Sequence, residues 1–292
     1  MGTKPSTPPL MRNVSDTALW VGHYRVMETE RPDAIFRDPF ARKLVGDRGE
    51  QIVKSMRRGK AYAWPMIVRT AVMDEIVVRL VKQQGVDTVL NLAAGLDARP
   101  YRLDLPSGLH WIEADLPEMV RYKEEILAAD QPKCRLERIS ADLREAAARR
   151  QVLDRVQANA KNALVITEGL LAYLAPEEVE ALARDLHDHA AIRWWLTDIA
   201  SPKIMQRIQK HMGKHLERAE ALMKFAPAEG PQWFEPRGWK EAEFREMMQE
   251  AIRLKRTPEG MWIWGIFKRL APQRFAREMK AYRSGMLLMR PI

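Results

Sequence analysis

Asp87-Thr-Val-Leu-Asn-Leu-Ala-Ala-Gly-Leu-Asp-Ala-Arg-Pro-Tyr-Arg102 decides the fold class of this chain. The apolar run from Val86 to Leu90 predicts a buried strand. It breaks into a small-residue turn at Ala93, Ala94 and Gly95, and a charged, helix-like segment follows. Such a turn lets a ligand approach the backbone closely, where following amides can face an anionic group. Twenty residues after Gly95, a second apolar strand (His110 to Ala114) ends in Glu113 and Asp115. Acids at that place can hydrogen-bond a ribose. Turn and acid together read as a nucleoside-cofactor site.

Outward from this core, strands are expected near 86–91, 110–115, 135–141, 163–168 and 193–199, with helices near 117–129, 144–158, 176–189 and 203–225. Strand–helix alternation predicts a mostly parallel sheet. The helix at Pro176 is well marked: proline at its first position, Glu177 and Glu178 in the first turn, then Val179, Leu182, Ala183 and Leu186 on one face. A further helix is expected at 240–250. Two final strands near 252–257 and 261–268 read as an antiparallel hairpin turning at Glu259-Gly260. Before the sheet, a long helix over 65–84, ended by Gly85, closes a helical cap spanning 14–85; residues 1–13 read as a disordered tail. The predicted fold is therefore α/β, a seven-stranded Rossmann-like sheet over 86–270 behind an N-terminal helical cap. Residues 271–292 read as a basic amphipathic helix, with Phe275, Met279, Tyr282 and Met286 as its apolar stripe.

Ligands of an open parallel sheet lie beyond the carboxyl ends of its strands. Asn91 to Gly95 follow the first strand, Glu113 and Asp115 the second, Asp142 the third and Glu168 the fourth. A nucleoside carrying an ammonium group would use such acids at its ribose, its adenine amine and its cation. Arg69, on the apolar stripe of the long helix, is the natural complement for a carboxylate. These requirements describe S-adenosylmethionine. They suit NAD less well, because its pyrophosphate calls for G-x-G-x-x-G and only Gly95 is present. Asp142 could instead cap the next helix.

Asp16-Thr-Ala-Leu-Trp-Val-Gly-His-Tyr-Arg25 and Glu30-Arg-Pro-Asp-Ala-Ile-Phe-Arg-Asp-Pro-Phe-Ala41 resemble the N-terminal signature of the leucine carboxyl methyltransferase family. They are most similar to its bacterial branch of S-adenosylmethionine-dependent O-methyltransferases. Asn91 to Arg102, Glu113-Ala-Asp-Leu-Pro117 and Glu168-Gly-Leu-Leu-Ala-Tyr-Leu174 are similar to the family's cofactor motifs. The resemblance covers roughly residues 14–200. It implies that Arg69 holds the cofactor carboxylate, Gly95 lines the methionine moiety, Asp115 binds the ribose, Asp142 and Leu143 meet the adenine, and Glu168 lies on the ammonium side. The family usually has glycine where Ala93 stands, so the turn here carries an extra methyl. The bacterial branch implies a small-molecule acceptor, with polyketide-like metabolites among the candidates.

Methyl transfer from a sulfonium needs positioning more than functional-group catalysis. A carboxylate acceptor needs only a cation or hydroxyl to orient it, such as Arg25, Tyr24 or Tyr173; a hydroxyl acceptor would need a base, for which His23 is the candidate. His211 and His215 have a metal-pair spacing but lack further ligands, so no metal is expected. Cys134, the sole cysteine, reads as a core residue of a protein from a reducing compartment, and a cytoplasmic location is expected. No run reaches the roughly 18 apolar residues of a membrane span. Of the formal +9 charge, six units fall from Lys268 onward, seven basic residues against Glu278. That segment raises the alternative of a nucleic-acid-binding or RNA-modifying protein.

Overall fold

The computed structural model describes residues 15–56, 59–218, 222–258, 260 and 283–292, with backbone alone at 15, 211–216 and 218. Its centre is a seven-stranded sheet in the order β3-β2-β1-β4-β5-β7-β6. The strands are β1 (Thr88–Leu92), β2 (His110–Asp115), β3 (Arg135–Ser140), β4 (Ala163–Thr167), β5 (Ile192–Ile199), β6 (Trp239–Glu246) and β7 (Gly285–Pro291). β1 to β5 are parallel; β7 runs antiparallel to β5 and pairs antiparallel with β6. Strand order reverses between β1 and β4, the place where such sheets bind ligands. β1 and β4 are buried at every position, as continuous apolar strands covered on both faces must be.

The helices are α1 (Ser15–Thr29), α2 (Ala41–Ser55), α3 (Ala63–Gln83), α4 (Arg99–Arg102), α5 (Pro117–Ile126), α6 (Ala146–Asn159), α7 (Pro176–His187), α8 (Pro202–Arg218) and α9 (Met247–Arg253). One face of the sheet packs Leu90, Val165 and Trp195 against Val152, Val156 and Leu182 of α6 and α7. The other packs Val89, Leu164 and Leu196 against Val72, Ile76 and Leu80 of α3. α3 is thus a sheet-covering helix and only its first turns belong to the cap. The cap proper is α1 and α2, joined to α3 through Trp20, Tyr24, Ile52 and Ile67. α7 starts as expected, with Pro176 in its first turn and the Glu178 carboxylate accepting from the Ala175 amide at 2.6 Å.

The two closing strands stand elsewhere than the sequence predicts. Residues 239–246, expected as helix, form β6, and 247–253, the first of which were assigned to that same helix and the last to a strand, form α9. The final strand is β7, within the segment expected as a basic helix. Its Leu287 and Met289 enter one core and Met286 and Leu288 the other, so Met286 belongs to a buried strand and not to a helical stripe. The antiparallel closing pair among the described residues is therefore β6 with β7. Residues 1–13, the expected strand at 261–268, and 271–282 lie outside the described residues.

Candidate active site

The carboxyl ends of β1 to β5, roofed by α1 and the start of α3, enclose a cavity of about 1590 Å³. Single small-ligand pockets hold about 300–1,000 Å³, so this one has room for two molecules side by side. Its lining includes Gly95, Asp115, Asp142 and Leu143 after the strands, and the aromatic and thioether side chains of Trp20, Tyr62, Trp64, Met205 and Met248.

The turn after β1 places Ala93 (φ 53°) and Gly95 (φ 48°) in the left-handed region. The Ala93 amide donates to Ala114 O at 2.8 Å, tying the turn to β2. The Gly95 and Leu116 amides both donate to the Asp115 carboxylate, at 2.6 and 2.7 Å. Burial raises the Asp115 pKa against the pull of these two amides. Asn91, buried at the end of β1, donates to Asp97 at 2.8 Å.

Beside the turn lies a network of buried ions. Arg69 Nε donates to Glu168 Oε1 at 2.9 Å, and its Nη1 to Asp198 Oδ2 at 3.1 Å. Arg99 Nη1 reaches Glu168 Oε2 and Asp97, both at 2.7 Å, while its Nε donates to Asp74 at 2.6 Å. Arg102 also pairs with Asp74, at 2.6 Å. Burial works against the Glu168 and Asp97 charges, yet the arginines prevail: Glu168 is held below the usual carboxylate range and Asp97 at about 2. The Gly169 amide (φ 66°) donates to Asp198 Oδ1 at 2.6 Å. A Cβ at Gly169 would stand 3.3 Å from Arg69 Nη1 and would press the guanidinium aside by a few tenths of an ångström. Tyr173 follows, hydrogen-bonded to Thr17, its pKa raised by burial.

Of the residues picked out from sequence, Arg69, Asn91, Gly95, Asp115, Asp142, Leu143, Glu168, Tyr173 and Arg25 line this cavity. Asp142 is paired with Arg144 at 2.6 Å, and Leu143 packs on the α6–α7 core. Arg25 is largely committed: Nε to Asp38 at 2.9 Å and Nη2 to Leu96 O at 2.6 Å. Two candidates are not brought to the site. Tyr24 is buried in the cap, its hydroxyl accepting from Trp20 Nε1 and donating to Gly59 O, both at 2.6 Å, with its pKa pushed up to about 12 by burial. His23 does not line the cavity; it faces α2 near Glu50 and Gly49, its pKa lowered by burial. Successive residues of a helix point some 100° apart, so one turn cannot send 23, 24 and 25 to one ligand. Glu113 turns instead into an ion triad with Lys123 (2.8 Å) and Arg138 (2.9 Å). Asp97, Arg99 and Asp198 were missed. Asp198 lies at the end of β5, where the strand-end rule would have found it.

The profile of the family described as "Leucine carboxyl methyltransferase" matches residues 18–187. A Parafrankia protein (strain EAN1pec) named as an S-adenosyl-L-methionine-dependent methyltransferase is 30% identical over 281 residues, 87% of this chain and 86% of its own length. A Rhodococcus jostii protein of the same description is 30% identical over 264 residues, 82% of this chain and 87% of its own. Among solved structures, a DUF574 family protein of Streptomyces avermitilis superposes with a TM-score of 0.58 at 14% identity, over 93% of this chain and 97% of its own. A Thermobifida fusca protein titled as a methyltransferase gives 0.53 at 15% identity, over 99% of both. These two share the fold.

Proposed function

This chain belongs to the leucine carboxyl methyltransferase family and is an S-adenosylmethionine-dependent methyltransferase; from that premise we propose that it methylates an oxygen, most readily a carboxylate oxygen, of a small-molecule acceptor. S-adenosylmethionine supplies an electrophilic methyl on sulfur. The chain's residues fit that group. Gly95 leaves backbone open beside Asp115, whose carboxylate would take the ribose hydroxyls. Leu143 and Asp142 would face the adenine, and Asn91 steadies the turn through Asp97. Arg69 would take the carboxylate and Glu168 the ammonium side of the methionine end. The observation that carries the reading is the convergence of these groups, from four strand ends and α3, on one cavity with space left over.

The aromatic and thioether side chains in the cavity's lining, Trp20, Tyr62, Trp64, Met205 and Met248, suit an acceptor with an apolar body. With His23 facing α2, no histidine lines the cavity among the described residues, and Glu168, Asp97 and Asp198 are bound to arginines. Among the described residues a hydroxyl acceptor finds no free imidazole to take its proton. A carboxylate needs none: its oxygen forms the O–CH3 bond as the S–CH3 bond breaks. Tyr173, kept protonated by burial, can donate a hydrogen bond to orient it. No described helix is long and apolar enough to cross a membrane, and the buried Cys134 suits a reducing cytoplasm.

Calorimetric titration with S-adenosylhomocysteine, with NAD in parallel, tests the cofactor site. Saturable binding to the first alone is expected. Asp115→Ala should abolish it in a protein that stays folded; undiminished affinity would overturn the assignment.

A further inference from the structure

Arg99 is tied to three separate elements. Its Nη1 donates to Asp97 Oδ2, in the turn after β1, and to Glu168 Oε2, just past β4, both at 2.7 Å. Its Nε donates to Asp74 of α3 at 2.6 Å, and Asp74 also holds Arg102. β1 and β4 are the strands between which the sheet order reverses, so one guanidinium joins the two sides of the crevice. The Arg99 side chain is 2% exposed, those of Asp97 and Glu168 12% and 16%, and all three line the cavity. The arginine is therefore the covered member and the acids are the open ones.

The two acids would not keep this arrangement alone. Burial and the Asp97 charge both push Glu168 toward its neutral form, and Arg99 with Arg69 outweighs them. Two carboxylates close enough to share one guanidinium nitrogen are close enough to share an ammonium nitrogen, and their remaining capacity suits one. Among the described residues, Asp97 accepts from Asn91 Nδ2, the Arg99 amide and Arg99 Nη1, and Glu168 from Arg69 Nε and Arg99 Nη1. A carboxylate offers about four lone-pair sites, so the pair keeps about three, which is the number of N–H donors on an ammonium.

Resting on the assignment of the methionine end to Arg69 and Glu168, we propose that Arg99 is a positioning residue for the donor's ammonium: it fixes Asp97 beside Glu168, so that two carboxylates and not one take that group. Arg99 acts through these acids. Holding the ammonium between two fixed carboxylates restrains the methionine chain and the methyl it carries.

The test is calorimetric affinity, in the full chain and in Arg99→Gln, for S-adenosylhomocysteine and for its des-amino analogue, the same thioether with hydrogen in place of the α-ammonium. The parent chain should prefer S-adenosylhomocysteine. In Arg99→Gln the affinity for S-adenosylhomocysteine should fall about tenfold more than that for the analogue, as the loss of hydrogen bonds to a charged group implies. Equal losses for both ligands would make Arg99 a general prop of the cavity and overturn the proposal, as would an unchanged affinity for both. Should Arg99→Gln fail to fold by circular dichroism, Arg99→Lys decides: it keeps the charge, cannot serve Asp74, Asp97 and Glu168 together, and should narrow the same preference, whereas an undiminished preference would overturn the proposal. A parent chain that binds both ligands equally would overturn it and leave the cofactor site standing. A parent chain that binds neither would refute the cofactor-site assignment, and this inference with it.

Discussion

Ala93→Gly should make this protein more stable. Ala93 sits at φ 53° and cannot relax out of that conformation: its own amide is bound to Ala114 O at 2.8 Å, and two residues on, the Gly95 amide is bound to Asp115 at 2.6 Å. A non-glycine residue in the left-handed region costs about 1–2 kcal/mol, because Cβ crowds the following carbonyl. Against that, glycine gives the unfolded chain extra freedom worth about 0.5–1 kcal/mol. The methyl faces the cavity at a half-buried position, so little packing is lost with it. The net gain is about 0.5–1 kcal/mol, or roughly 1–3 °C in Tm for a chain of this size. Differential scanning calorimetry of the two proteins without added ligand reads it directly. Ala93→Val is the companion, since a β-branched side chain at this φ should lower Tm by several degrees. A glycine variant that melts below the parent would refute the strain argument, for it would mean that the methyl contributes more by contact than it costs in backbone conformation.

Gly169→Ala should do the reverse: φ 66° and a Cβ 3.3 Å from Arg69 Nη1 predict a loss of about 1–2 kcal/mol together with weaker S-adenosylhomocysteine binding, checked by thermal melting and titration on one sample. Glu28 and Arg256 form a buried pair at 2.8 Å, 0% and 8% exposed, joining α1 to the segment after α9. Glu28→Leu should cost about 3–5 kcal/mol in urea denaturation, and Arg256→Leu added to it should cost less than the two separately; strict additivity would count against the pair. The folded-state pKa of His23 is lowered from 6.5, so the unfolded chain binds the proton more readily. The stability His23 contributes is thus complete above about pH 6.5 and is lost as pH falls toward the folded value. In His23→Gln the decline of Tm from pH 7 to 5 should be shallower; a steeper one would contradict the burial seen at this position.

The parallel half of the sheet was readable in the sequence because β1, β2 and β4 are short and buried on both faces, with turn residues at their ends. The other half was not. In β6, Trp-Lys-Glu-Ala-Glu-Phe-Arg-Glu, an edge position leaves charges on a strand, and their spacing mimics an exposed helix face. β7 misleads in the opposite way. Its apolar run Met286 to Met289 is buried between two neighbours, and Met286 falls in step with Phe275, Met279 and Tyr282 by coincidence of spacing. At the site, the strand-end rule located Asp115 and Glu168, but the arginine network depended on distant pairings, such as Arg69 with Asp198, that no local pattern encodes. The choice among His23, Tyr24 and Arg25 depended on the rotation of α1 against α2, which is set by packing.

The position of β7 has a consequence for how this protein is made. β6 is hydrogen-bonded to β7 and β7 to β5, so β6 has no place in the sheet until residues 285–291 have been synthesised. During translation, β1 to β5 can pair in order while Trp239 and Phe244 wait on an unattached strand and the outer edge of β5 stays open. A ribosome pausing before codon 285 would hold the chain with an exposed sheet edge, the state most prone to pair with a neighbour. Fast completion of this stretch, or a chaperone covering the β5 edge until then, is what the topology asks of the cell.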